Sequence, residues 1–291
     1  RLVATLALGC GVALSAAPGK AQDKGEGAPR TVNAKVETRA VTRPLAQEFE
    51  VLVHGSEAPR WIGYAVPRMV GARVVCCGSY NGNWNDGCGR CRLEGREDGI
   101  STTSDGDVKL EGSTQLLVLF RAEKKHVGKI RLASEDCMLD AGGLALVWLT
   151  GMKPGESVAL LEEFVRQESS EREERRVNNA ALTAIALHAD AAADRAMESF
   201  VSPEGPEKLR RETAFWLGAA RGKAGVAVLK RMAKRDLSAH VRDQVTFALS
   251  VSKEPEALDE MIRMARQDES GHVRSQALFW LAQKAGKKAM S

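Results

Sequence analysis

Leu209-Arg210-Arg211-Glu212-Thr213-Ala214-Phe215-Trp216-Leu217 is followed thirty-two residues later by Val241-Arg242-Asp243-Gln244-Val245-Thr246-Phe247-Ala248-Leu249, and thirty-two further on by Val273-Arg274-Ser275-Gln276-Ala277-Leu278-Phe279-Trp280-Leu281. A fixed period of this size is the mark of a solenoid, in which each repeat buries its apolar face only by stacking on its neighbours. Apolar residues at helical spacing extend the pattern outward. They predict helices at 156–167, 170–187, 190–201, 207–219, 223–235, 239–250, 254–266 and 271–283, which makes four helix pairs. Ser170-Glu171-Arg172-Glu173 is a capping-box pattern opening the second of these.

On a helical wheel of the second helix in a pair, Thr213, Trp216 and Leu217 fall on the side of Leu209 and form the core stripe. Phe215 falls about 240° away, among Lys208, Arg211, Glu212 and Ala219. Phe247 and Phe279 occupy the same place in the next two repeats, beside Gln244 and Gln276. The wheel therefore predicts a column of Phe215, Phe247 and Phe279 on an otherwise polar face, with Arg211, Gln244 and Gln276 at its rim. Aromatic residues within a polar rim are where interfaces concentrate their energy, so this is the candidate partner-binding face. The competing reading is that each ring packs sideways onto the next repeat and is core.

The turns carry a second regularity. Asp236 precedes Arg242 by six residues, Asp268 precedes Arg274 by six, and Glu204 stands six before Arg210. An acid in the turn and an arginine in the following helix can bond along the stack, so Asp236, Arg242, Asp268 and Arg274 are expected to form a structural ladder. On these residues, the chain resembles the HEAT family in its short bacterial form. The same holds for Ala257-Leu258-Asp259-Glu260-Met261-Ile262-Arg263-Met264-Ala265-Arg266-Gln267-Asp268 with His272-Val273-Arg274-Ser275-Gln276-Ala277-Leu278. The resemblance covers residues 156–284. It implies a solenoid whose second helices line a concave surface. Arg172 and Asn178 stand at the acid and arginine positions of the first pair, as expected of an atypical end repeat.

Residues 47–150 read differently. Short β-type runs occur at Phe49–Val53, Trp61–Val66, Arg73–Cys77, Val108–Leu110, Gln115–Arg121, Val127–Ala133 and Ala145–Leu149, separated by glycine-rich turns. Ala122-Glu123-Lys124-Lys125-His126 reads as a hairpin connection. The expected fold class is thus α+β in two domains, a small cysteine-containing β-rich domain at 47–150 and an all-α HEAT-like α-solenoid at 151–291. Trp61-Ile62-Gly63-Tyr64-Ala65-Val66-Pro67, Cys76-Cys77, Cys88-Gly89-Arg90-Cys91 and Asp136-Cys137-Met138 make the β region similar to that of secreted bacterial HEAT-repeat proteins.

Arg1 followed by the apolar run from Leu2 to Ala17 reads as a signal peptide over 1–21, cut before Gln22. The run is too short for a comfortable membrane span. Leu8-Gly9-Cys10 offers a lipid anchor as the competing reading. Residues 22–46 are polar with few large apolar side chains and read as a flexible linker. Export places the cysteines in an oxidising compartment. Five remain after cleavage: Cys76, Cys77, Cys88, Cys91 and Cys137. Adjacent Cys76 and Cys77 cannot readily pair with each other. One is expected to reach the Cys88/Cys91 loop and the other Cys137, giving two structural disulfides and one free thiol. A zinc site and a redox-active Cys88/Cys91 pair are the alternatives.

The bulk composition is that of an ordinary globular chain. Of 291 residues, 44% are hydrophobic and 27% charged, with a net charge of +4. Basic and acidic residues alternate, so no nucleic-acid footprint is present. His54, His126, His188, His240 and His272 show no i,i+3 or i,i+4 pairing. Ser134-Glu135-Asp136 with Asp140 reads as a capped turn, with a calcium site as its alternative. No nucleophile elbow, dinucleotide fingerprint or phosphate-binding loop occurs. These features lead to a non-catalytic protein-binding or scaffolding role at the bacterial cell envelope or exterior, without cofactor. A thiol-redox enzyme, a HEAT-type lyase like those acting on bilins, and a purely structural envelope component are the alternatives.

Overall fold

The computed structural model describes residues 28–55, 57–69, 90–94, 114–135, 137–167 and 172–290. In chain order the elements are β1 (Thr31–Val32), β2 (Lys35–Ala40), α1 (Leu45–His54), β3 (Arg60–Pro67), β4 (Arg90–Arg92), β5 (Gln115–Glu123), β6 (His126–Ser134), β7 (Met138–Asp140) and β8 (Ala145–Thr150). Eight helices follow: α2 (Pro154–Arg166), α3 (Arg172–Leu187), α4 (Ala191–Phe200), α5 (Glu207–Ala220), α6 (Gly222–Arg235), α7 (Ala239–Val251), α8 (Glu256–Gln267) and α9 (Gly271–Met290). The protein is therefore α+β, a β-containing N-terminal region followed by a helical stretch.

Five strands form a mixed sheet in the order β2-β8-β3-β5-β6, and β1, β7 and β4 form a small parallel sheet. The central strands of the large sheet are buried on both sides, which is why Leu116-Leu117-Val118-Leu119-Phe120 of β5 reads as an unbroken apolar run. Ile62, Tyr64, Leu116, Val118, Phe120, Val147 and Leu149 face the helices. Trp61, Leu117, Leu119, Leu146 and Trp148 face the small sheet, packing with Cys91, Leu93, Cys137 and Leu139. The β5–β6 hairpin closes through Lys124 (φ 50°) and Lys125 (φ 63°), two left-handed residues as a type I′ connection requires.

Two expectations are corrected. Phe49–Val53 is not a strand but the C-terminal part of α1. Its Phe-Glu-Val-Leu-Val alternation imitates a strand, yet Leu45, Glu48, Phe49, Leu52 and Val53 recur at helical spacing and are the buried ones. Buried Glu48 meets Arg39 of β2 at 2.9 Å and Arg43 at 2.7 Å, which ties the edge strand to the helix. The stretch 22–46 is not a flexible linker throughout, because it contains β1 and β2. β2 pairs in parallel with β8 from Lys35/Ala145 to Ala40/Thr150. As an edge strand with mostly exposed side chains it needs few large apolar residues, which hid it from a compositional reading. The expected strands at Arg73–Cys77 and Val108–Leu110, the segment 1–21, and Ser170 and Glu171 of the capping box lie outside the described residues.

The eight predicted solenoid helices match α2 to α9 within a few residues at each boundary, except that α9 continues to Met290. The helices form two layers, α3, α5, α7 and α9 in one and α2, α4, α6 and α8 in the other. Thr213, Trp216 and Leu217 are buried in the stripe the wheel placed them on. α5 and α7 approach so closely that a Cβ at Gly218 would sit 2.0 Å from the backbone oxygen of Ala248. Only glycine fits there. Gly218→Ala must push the two helices apart and is expected to destabilise the fold by about 1–3 kcal/mol. Urea melts against a Ser250→Ala control, at the corresponding position one repeat later, measure it.

Candidate functional site

Of the residues expected in a ladder, Asp236, Arg242 and Asp268 bond between repeats, and Arg274 bonds its own turn. Arg242 directs Nε and Nη2 at the carboxylate of Asp268, twenty-six residues ahead, at 2.9 and 3.1 Å. Its Nη1 donates backward to the carbonyls of Asp236 (2.8 Å) and Leu237 (3.3 Å). Arg210 repeats this with Asp236 at 2.8 and 3.3 Å, and its Nη1 bonds the Gly205 carbonyl. Arg274 bonds the carbonyls of Asp268 (2.7 Å) and Glu269 (3.1 Å). The six-residue spacing thus sets the arginine against its own turn, and the acid it grips belongs to the next repeat. Asp236 and Asp268 also accept from the amides of Ser238 (3.0 Å) and Ser270 (2.9 Å), whose hydroxyls cap α7 and α9. In the first pair Asn178 donates to the Gln167 carbonyl at 2.5 Å, a shorter tie to the preceding turn.

The aromatic rings do form a column, with a different third member. Phe215 and Phe247 stack with centroids 5.9 Å apart and planes 13° from parallel. The ring that continues onto Phe247 is Trp280, at 4.9 Å, and Phe279 packs edge-on against Trp280. Phe215 and Phe247 are half-buried by this stacking and Phe279 is 50% exposed. Trp280 takes the place held by Ala248 one repeat earlier and by Trp216 two repeats earlier, and there Phe215 keeps its stacking on Phe247 beside the buried Trp216. Around the column, Arg211 is exposed and Gln244 and Gln276 are half-buried. His272 Nε2 lies 3.8 Å from Asp243 of the preceding repeat.

A buried polar cluster that the sequence did not signal joins the sheet to the helices. Ser157 Oγ lies 2.8 Å from Tyr64 Oη and 2.9 Å from His188 Nε2. His188 Nδ1 lies 2.6 Å from the Ala184 carbonyl. A carbonyl facing Nδ1 puts the ring proton there, so Nε2 accepts from Ser157 and Tyr64 donates to Ser157. All three side chains are fully buried. The Ser157 hydroxyl is enclosed, and the imidazole is oriented by the Ala184 carbonyl. The backbone is joined at the same point, Met69 N to Leu187 O and Ala189 N to Pro67 O, each at 2.9 Å. Arg221 donates to the carbonyls of Ala186 (3.3 Å) and His188 (2.6 Å) and pairs with Asp194.

Cys91 and Cys137 are both buried, and each takes part in a disulfide bond. Cys91 lies on strand β4, not at the N-terminus of a described helix, the place that activates a redox thiol. Cys76, Cys77 and Cys88 lie outside the described residues. Asp140 accepts from Asn33 Nδ2 (3.1 Å) and Gly142 N (3.0 Å), so this acid caps a turn, while Asp136 is outside the described residues. Among the described residues no group of three metal-ligating side chains occurs, and no helix is long and apolar enough to cross a membrane.

Two outcomes follow from this geometry. Arg242→Ala strands the buried Asp268 carboxylate and is expected to cost about 3–5 kcal/mol. Arg242→Met with Asp268→Leu, which removes both charges, is expected to recover most of it; urea melts of the single and double variants measure the difference. Burial pushes His188 down to about 4, against the ordinary 6.5, and the Arg221 guanidinium adds to the shift; the Ala184 carbonyl and Asp190 oppose it. The folded state therefore resists taking up this proton. Stability from His188 is complete above pH 6.5 and is lost as pH falls from 6.5 toward 4, by roughly 3 kcal/mol in all. His188→Gln is expected to flatten that part of the stability–pH curve, as urea midpoints at pH 7.5 and 4.5 will register.

A family model described as HEAT repeats matches residues 197–282. No curated protein matches the chain. Among solved structures, human deoxyhypusine hydroxylase in complex with glycerol is similar over 44% of this chain and 43% of its own, with 23% identity and a TM-score of 0.36. This chain thus spans under half the length of that enzyme, and a likeness at this level carries nothing about activity. Residues 197–282, which carry the Arg210–Asp236 and Arg242–Asp268 rungs, are thus similar to HEAT repeats.

Proposed function

We propose that the protein is a non-catalytic binding scaffold that acts outside the cytoplasm and docks a protein or peptide on the face of α5, α7 and α9. The observation that carries this reading is the column of Phe247, Trp280 and Phe279, continued by Phe215 and edged by Gln244, Gln276 and exposed Arg211. Ring edges in a polar frame give a partner apolar area to cover and hydrogen-bonding groups to fix its orientation. HEAT repeats suit this role, because a stack offers an extended surface built by regular repetition. The β region would hold the first repeat in place through the Tyr64–Ser157–His188 seam.

Export is part of the proposal and rests on the apolar run from Leu2 to Ala17 and on the disulfide-bonded Cys91 and Cys137. Neither enzymatic alternative has comparable support. Cys91 is enclosed in the core, and the one serine–histidine contact described above is closed to substrate.

The test is a pull-down with the exported form, expected by intact mass to begin near Gln22, from envelope extract. A stoichiometric protein partner should be recovered. Phe279→Ser, at a half-exposed ring, is expected to reduce that recovery several-fold with little change in melting temperature. Equal recovery by the variant, or a full-length chain confined to the cytoplasm, overturns the reading.

A further inference from the structure

The thirty-two-residue register also picks out one helix that stops early. α6 ends at Arg235 and α8 at Gln267, thirty-two residues apart, so their last turns coincide. The same register would carry α4 to position 203, yet α4 ends at Phe200. Pro203 has no amide to donate and disfavours a helical Ser202 before it, so a loop replaces the last turn. A cavity of about 170 Å³, open at its mouth, stands between that loop and α6.

Its floor is apolar and its rim is charged. Val201 and Pro203 line it from the loop, and Val228 and Met232 from α6. Of the charged wall residues, Glu198 pairs with Arg231, and Asp236 is held by Arg210. Arg235 is left over. It is exposed, and it meets no carboxylate among the described residues. The wall thus carries one uncompensated positive charge beside carbon surface, the combination of a few polar groups on an apolar lining that small-ligand sites use to fix orientation.

We propose that this cavity binds a carboxylate bearing a single apolar group, with the group on the floor and the carboxylate on Arg235. A guanidinium fork matches a carboxylate in plane and spacing, whereas a cationic ligand is repelled. About 150 Å³ of enclosed space accommodates a benzene-sized molecule, so the apolar group has the size of a leucine or phenylalanine side chain. Two sources share this chemistry, the C-terminal residue of a peptide and a free arylacetic or branched aliphatic acid. The site is independent of the aromatic column, because it lies between α4 and α6 in the other layer of helices.

The test titrates the whole chain, by calorimetry, with phenylacetate, with acetyl-glycyl-glycyl-phenylalanine and with the amides of both. At least one carboxylate is expected to bind at one site per chain, and its amide at least several-fold more weakly. Tighter binding of the peptide assigns the cavity to a chain terminus, and tighter binding of phenylacetate to a free acid. Arg235→Gln should weaken the bound carboxylate about tenfold, and Ser202→Trp, which sets a ring at the mouth, should abolish binding. Lys234→Gln, at an exposed neighbour that does not line the cavity, should leave binding unchanged. Arg235 is exposed and Ser202 half-buried, so both variants are expected to melt near the parent; if Ser202→Trp does not, Arg235→Gln carries the test. Binding of neither carboxylate, an amide as tight as its acid, or binding indifferent to Arg235→Gln overturns the proposal. An equal loss with Lys234→Gln does so too, since it would reduce the effect to overall charge.

Discussion

The solenoid is organised around a buried ion pair that recurs at two successive steps. Arg210 holds Asp236, and Arg242 holds Asp268, with all four side chains at most 10% exposed. Charges so placed lose hydration, and their mutual attraction need not exceed what two packed apolar residues would supply. Their value lies in geometry. A guanidinium accepts a carboxylate only in one plane and at one distance, so each pair fixes the offset of one repeat on the next. The apolar stripes beneath fix far less, since many helix offsets bury similar amounts of surface.

The same logic operates where the sheet meets the helices. Tyr64 on β3, Ser157 on α2 and His188 after α3 come from three separate elements, and each polar group finds its partner in another. Backbone bonds through Met69 and Ala189 run beside them, and Arg221 closes the end of α3. The apolar core is continuous across this junction, from Phe120 in the sheet through Leu161 and Ile185 to Val245 and Ala277. The β region and the first repeats are therefore packed as one body, and the polar cluster sets how they fit.

How much of this was readable in the sequence depends on how local the signal is. The helices were readable because thirty-two residues separate Arg210, Arg242 and Arg274, and a period survives any uncertainty about one element. The acid in each turn was readable for the same reason, although the aspartate each arginine grips lies twenty-six residues on, in the following repeat. α1 was misread because five residues can alternate and also satisfy helical spacing; burial by the sheet and the arginines around Glu48 decide for the helix. Phe279 was placed in the column by an ideal wheel, and the ring found against Phe247 is Trp280, one residue further on. The Tyr64–Ser157–His188 cluster left no trace, since its members stand 93 and 31 residues from Ser157. The Glu–Trp–Arg contact of Glu94, Trp61 and Arg121 was equally silent, for the same reason of sequence distance.

Each aspartate of the ladder has two duties. Asp236 shapes its own turn through Ser238 N and also receives Arg210, while its backbone carbonyl receives Arg242. Removing residues 236–267 would bring Asp268 to the place of Asp236, twenty-six positions from Arg210, with its Ser270 cap and Arg274 following in order. Removal of any shorter or longer piece would bring some other residue there. The helical array is thus a counted structure. Its lineage can gain or lose whole modules of thirty-two residues without rewiring, and every other change of length within it must be absorbed in a turn that already serves three arginine and serine contacts.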